Sequence, residues 1–122
     1  MATGVLIAES LRVGGVLGGV PLRVTELRRI EAAGATGVQP RWWTLVDFQV
    51  ADSDAPRLAD VLAGCLDPGG GWYANYNTAA EAFVVFAGRI FRYPHGDTGS
   101  RAAAEEYARS IGVPEPQLDW ED

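Results

Sequence analysis

A chain of 122 residues with 48% hydrophobic content and four each of Trp, Tyr and Phe can bury one core without disulfide staples, and is too apolar for global disorder. A net charge of -6 argues against wrapping nucleic acid or lying on an anionic membrane, because phosphate binding rests on clustered positive charge. All ten basic residues are arginine, so Schiff-base chemistry, lysine-dependent phosphate loops and a lysine general base are excluded.

The opening MATGVLIAES lacks a basic start and carries Glu9, so no signal peptide is expected; the apolar run that follows is broken by Glu9 and Arg12 and is no membrane span. A lone Cys65 has no internal partner, and the expected location is cytoplasmic. VLIAESLRV reads as a strand and GGVLGG as a glycine-rich turn. VPLRVTELRRIEA reads as a second strand with Val20, Leu22 and Val24 on one face, which predicts an N-terminal β-hairpin. AGATGVQP, residues 33–40, is a loop. RWWTLVDFQV gives the clearest strand: Trp42, Thr44, Val46, Phe48 and Val50 on the buried side, Trp43, Leu45, Asp47 and Gln49 on the other.

A helix follows. Ser53 and Asp54 are its cap candidates, Pro56 sits in its first turn, and Leu58, Val61, Leu62, Cys65 and Leu66 recur at helical spacing until DPGGG stops it. WYANYNT, EAFVVFA and RIFRYP are three further strands, the last two joined by a two-residue turn at Ala87 and Gly88. SRAAAEEYARSIG is a second helix, capped by Asp97, Thr98 or Ser100, with Ala104, Tyr107, Ala108 and Ile111 as its inner stripe and Gly112 closing it. Residues 113–122 form an extended tail that docks through Leu118 and Trp120. The order β-β-β-α-β-β-β-α predicts a single α+β domain over residues 1–122: a mainly antiparallel sheet of five to six strands with both helices on one face. A last strand from PQLDW would make the second half ferredoxin-like.

The chemistry is sparse. Gly14 and Gly19 flank Val16 where a dinucleotide fingerprint needs glycine, and a strand follows instead of a helix. One His and one Cys cannot build a zinc site, and Asp52 with Asp54 lack the remaining ligands of a calcium loop, so no metal and no cofactor are expected. Cys65 lies on an apolar stripe, where a thiol acts as a small hydrophobe. His95 has two readings. In one, Pro94, His95 and Gly96 make a turn before a capped helix. In the other, His95 is an acid or base oriented by Asp97, while Arg92 or Arg101 binds an anion, as in a small isomerase or cyclase. In WYANYNT, Trp72, Ala74, Tyr76 and Thr78 alternate with Tyr73, Asn75 and Asn77. Whichever set faces outward, Tyr73 with Asn75 or Trp72 with Tyr76, offers the rigid rings and amides that binding surfaces favour.

FVVFAGRIFRYPHGD, RAAAEEYARSIGVPEPQLDW and WTLVDFQV resemble a family of small proteins from high-GC actinobacteria, over nearly the whole chain from about residue 5 to residue 120. The resemblance implies a freestanding cytoplasmic domain and carries no activity, cofactor or site. The expectation is therefore a non-enzymatic binding or accessory protein. Its partner is a protein, basic to suit the acidic surface, or a small ligand, and a homodimer is compatible with both. The alternative is the His95 enzyme. A closed pocket touching His95 favours the enzyme; an aromatic surface around Tyr73 and Asn75 favours the binder.

Overall fold

The structure is a computed structural model that describes every residue except Gly34 and Thr36, which fall in the loop expected over residues 33–40. The elements run β1 (Ala2–Ile7), β2 (Arg23–Glu31), β3 (Trp42–Val50), α1 (Ala55–Cys65), β4 (Ala74–Asn77), β5 (Glu81–Phe86), β6 (Arg89–Pro94) and α2 (Thr98–Ser110). Six strands form one antiparallel sheet in the order β2-β3-β1-β4-β5-β6, so the fold is α+β. Among the described residues no helix is long and apolar enough to cross a membrane.

The order corrects the N-terminal hairpin. β1 lies between β3 and β4, Leu6 opposite Val46 on one side and Gly4 opposite Tyr76 on the other, whereas β2 pairs with β3 alone. The segment joining β1 to β2 is too apolar to be a mere turn. Its Leu11, Leu17, Val20 and Leu22 pack on the core and act as a cover, so the chain crosses the sheet before β2 begins. β2 is an edge strand, exposed over nearly its whole length. A register shift between Val24 and Glu26, and the fork of Arg28 on Asp47 at 3.1 and 3.3 Å, interrupt and charge the free edge.

A second correction concerns the helices, which pack on opposite faces rather than on one. β5 is the reason. Its successive side chains point to opposite sides, and nearly all of them are buried. Phe83 and Val85 join Phe48, Val50, Tyr76 and the Leu58, Leu62 and Cys65 stripe of α1. Ala82, Val84 and Phe86 join Tyr93, the Ala104 and Ala108 stripe of α2, and the tail residues Leu118 and Trp120. A strand apolar on both faces needs cover on both. The tail makes a 3-10 turn at Glu115–Gln117 and no strand, so a ferredoxin-like arrangement is absent.

At the centre of the α1 side, Tyr76 stacks on Phe83 with centroids 5.0 Å apart, meets Phe48 edge-on, and donates its hydroxyl to the Ala55 carbonyl at 2.7 Å. Gly4 makes this possible. A Cβ there would lie 2.8 Å from Phe48 Cζ and 2.9 Å from both the Asn75 carbonyl and Tyr76 Cβ. Gly4→Ala should therefore lower stability by about 1–3 kcal/mol, measured as a fall in the denaturation midpoint, because backbone as well as side chain must give.

Candidate functional site

On the α1 side, the helix and the crossing segment cover the middle of the sheet. On the other side, α2 and the tail reach only the β4–β6 half. Among the described residues no helix lies over the β1 and β3 residues of that second face, and a cleft of about 660 Å³ results. Its floor is Val5 and Ile7 of β1, Leu45 of β3 and Asn75 of β4. Trp43 and Trp72 close one end, their rings edge-on at 5.5 Å. The tail forms the wall, with Tyr73 against Trp120 at 5.2 Å.

Most of the polar groups here are turned inward. Asn75 Nδ2 donates to the Phe83 carbonyl at 2.9 Å, and Asn77 Nδ2 donates to the Glu121 carbonyl at 2.8 Å. The Tyr73 hydroxyl donates to the Gln117 carbonyl, Trp120 Nε1 to the Tyr93 hydroxyl at 3.1 Å, and Trp43 Nε1 to the Pro40 carbonyl at 2.9 Å. The bonds of Tyr73, Asn77 and Trp120 fasten the tail to the β4 segment and to β6. Burial, and then the charge of Asp119 beside it, push the Tyr73 phenol far above its ordinary pKa, so it stays a donor. The charged residues of the lining are Glu31, Asp119 and Glu121, all acidic.

Of the binding candidates, Trp72, Tyr73 and Asn75 meet in this cleft. The two sequence alternatives for WYANYNT resolve to Tyr73 with Asn75 facing outward, yet Trp72 joins them. Regular pairing begins only at Ala74, and Gly71 turns the chain with φ of 67°, which frees Trp72 from the strand alternation. Tyr76 is fully buried under α1 and does not reach the cleft. Arg101 lies behind Trp120, 5.0 Å from its ring, and is tied to Asp122 at 2.6 Å. Sequence reading missed Val5, Ile7 and the tail residues Gln117 and Asp119 as lining. The signal for Val5 and Ile7 was the alternation of β1; for the tail residues there was none beyond proximity to Trp120.

The His95 group does not come together as an acid–base site. His95 Nε2 lies 2.8 Å from the Thr78 carbonyl, which can only accept, so Nε2 carries the proton; the backbone N–H of His95 donates to Ala80 at 3.1 Å. Its Nδ1 is buried without a partner. Asp97 instead caps α2, taking Ser100 N–H at 3.0 Å and Ser100 Oγ–H at 2.8 Å. The Arg92 fork grips Glu81 at 2.7 and 2.8 Å. A smaller hollow of about 240 Å³ touches Arg92 and Phe83 but not His95. At α1, Asp54 takes the cap position without a side-chain cap bond and accepts from Arg57 at 3.2 Å. Cys65 is buried in the core, and burial raises its thiol pKa, so it is no ready nucleophile. No three metal-ligating side chains cluster among the described residues.

Set against known proteins, the chain matches no family model, no curated protein and no solved structure. Fold and site together define a class: an α+β domain with one helix on each face of a six-stranded antiparallel sheet and a cleft beside the second helix.

His95 ties the end of β6 to the β4–β5 turn. His95→Ala should cost about 1 kcal/mol, seen as a lower denaturant midpoint at unchanged slope. Hydrogen bonds from Arg92 lower the Glu81 pKa, and those from Ser100 lower that of Asp97. A depressed carboxyl stabilises the fold above its unfolded pKa, about 4, and loses that contribution as pH falls through the folded value. Acidification below about pH 4 should therefore lower the melting temperature, and less steeply in Glu81→Gln, as read by thermal melts across that range.

Proposed function

We propose that this chain is a non-enzymatic binding protein, and that the cleft between β1, β3 and the C-terminal tail is where it takes up a small ligand. The observation that carries the reading is the convergence of Trp72, Tyr73 and Asn75 on one concave surface to which His95 contributes no atom. Aromatic walls, an apolar floor and a few fixed polar groups are the usual make-up of a ligand site, and about 660 Å³ falls within the usual range of volume. The groups an acid–base reaction would need are committed elsewhere: Asp97 to Ser100 and Arg92 to Glu81. A buried, unpaired Cys65 thiol suits a reducing cytoplasm.

The test is a fragment screen read by backbone amide shifts. Binding fragments should move the resonances of Val5, Leu45, Asn75 and Trp120. Val5 is 41% exposed on the cleft floor, so Val5→Trp fills the cleft without disturbing the core and should remove those shifts. Shifts that gather around His95 instead, or that survive Val5→Trp, would overturn the reading.

A further inference from the structure

We propose that β2 pairs antiparallel with β2 of a second copy, about a two-fold axis at Leu27, joining two six-stranded sheets edge to edge. This goes beyond ligand uptake and does not depend on it. β2 is a nine-residue edge strand in which Ile30 alone is partly covered. Among the described residues no strand lies along its outer side, so its outward N–H and C=O groups are open to pairing. Val24 and Leu27 stand opposite Phe48 and Val46, on the α1 side of the sheet, yet are 53% and 65% exposed. Apolar side chains along an open edge are what a second strand would cover. β2 also carries three arginines against two glutamates in a chain of net charge -6, so two copies meet less repulsion here than the whole chain's charge implies.

Charge decides the register. Directly opposed residues of an antiparallel pair share a face, so a two-fold axis between copies falls on one residue position. The regular stretch is residues 26–31, since the shift between Val24 and Glu26 leaves Thr25 over. An axis at Glu26, Arg28, Arg29 or Glu31 sets a charge against its own copy, and an axis at Ile30 overlaps only residues 29–31 of the strand. Leu27 is the midpoint of Arg23–Glu31, and an axis there sets Leu27 against Leu27 and Glu26 against Arg28, twice. Glu26 and Arg28 lie on one face, that of Asp47 and Leu45, so the opposed charges meet on the same side. In its own chain Glu26 is exposed and stands 3.9 Å from Arg28 Nε, which leaves its carboxylate open to a closer guanidinium. The charges that deter an arbitrary strand thus become partners for a second copy. The other edge, β6, carries only basic charges, Arg89 and Arg92, and ends at Pro94, which has no N–H to donate. β2 therefore pairs with itself, and the assembly closes at two copies.

Sedimentation velocity of the full chain over a range of concentrations tests this. The 13.0 kDa monomer should pass reversibly into a dimer with Kd of about 1–100 µM. Glu26→Arg sets arginine against Arg28 of the second copy, and Arg28→Glu sets glutamate against Glu26, so each variant alone should raise Kd about tenfold. Mixed in equal amounts, the two variants regain both opposed pairs, and a dimer with one copy of each should form with Kd within about threefold of the original. Arg28→Glu also loses the fork on Asp47, so far-UV circular dichroism and melts check that both variants are folded. Leu27→Asp places two like charges at the axis from an exposed position and should raise Kd about tenfold at unchanged melting temperature of the monomer. A chain that stays monomeric up to about 1 mM overturns the proposal. So does a dimer that ignores Leu27→Asp, which lies on another surface, and so does a mixture of folded variants that fails to pair.

Discussion

The burial of β5 on both faces governs the arrangement of everything else. Phe83 and Val85 on one side and Ala82, Val84 and Phe86 on the other cannot all be hidden by one layer. Each large side chain withdrawn from water contributes roughly 1.5–3 kcal/mol, so leaving either row exposed would cost much of a small domain's stability. One helix is therefore needed on each side. α1 and α2 take those places through short connections, and the sheet becomes the middle of three layers only where β5 and its neighbours lie.

The cleft is a consequence of that limited coverage. Among the described residues, two helices, the tail and the segment between β1 and β2 cover the faces of six strands. α1 is joined on its side by the apolar segment between β1 and β2, whose leucines extend the cover. α2 has no such help beyond the tail, which ends over β4 with Asn77 holding the Glu121 carbonyl. Val5, Ile7 and Leu45 face a cleft that no element fills among the described residues, and the indoles of Trp43 and Trp72 line its margin. Tyr73, Asn77 and Trp120 each spend a donor on bonds that hold the tail in place, so part of the polarity of the lining is committed to anchoring its wall.

The polar cluster around the β4–β5 turn and the end of β6 has a different purpose. Arg92, His95 and Asp97 look in sequence like a compact reactive group. In the fold each is committed to a local bond: Arg92 to Glu81 across paired strands, His95 to the turn at Thr78, Asp97 to the first turn of α2. They fix the hairpin end and start the helix. The one leftover valence, His95 Nδ1, is enclosed.

Elements governed by neighbours in sequence were legible: the Phe48 and Val50 face of β3, the Leu58 to Cys65 stripe, the turn at Gly88 with φ of 72°, the Asp97 cap and the docking of Leu118 and Trp120 all follow from local periodicity or turn chemistry, whereas Trp42 and Val24, expected on inner faces, are exposed at the sheet's β2 side because no element covers that margin among the described residues. Lacking lysine and having one imidazole and one thiol, the composition also limited the chemistry in advance. Which strands become neighbours was not legible. The insertion of β1 between β3 and β4 joins residues more than forty and seventy positions apart, as in the pairs Thr3 with Gln49 and Thr3 with Asn77, and alternation records which side chains share a face without saying which strand lies alongside. The apolar run of β5 was visible, but not that its two rows serve separate cores. Only the folded arrangement decided that one face would be left partly bare, because coverage depends on where helices and tail end in space, and no local pattern encodes that.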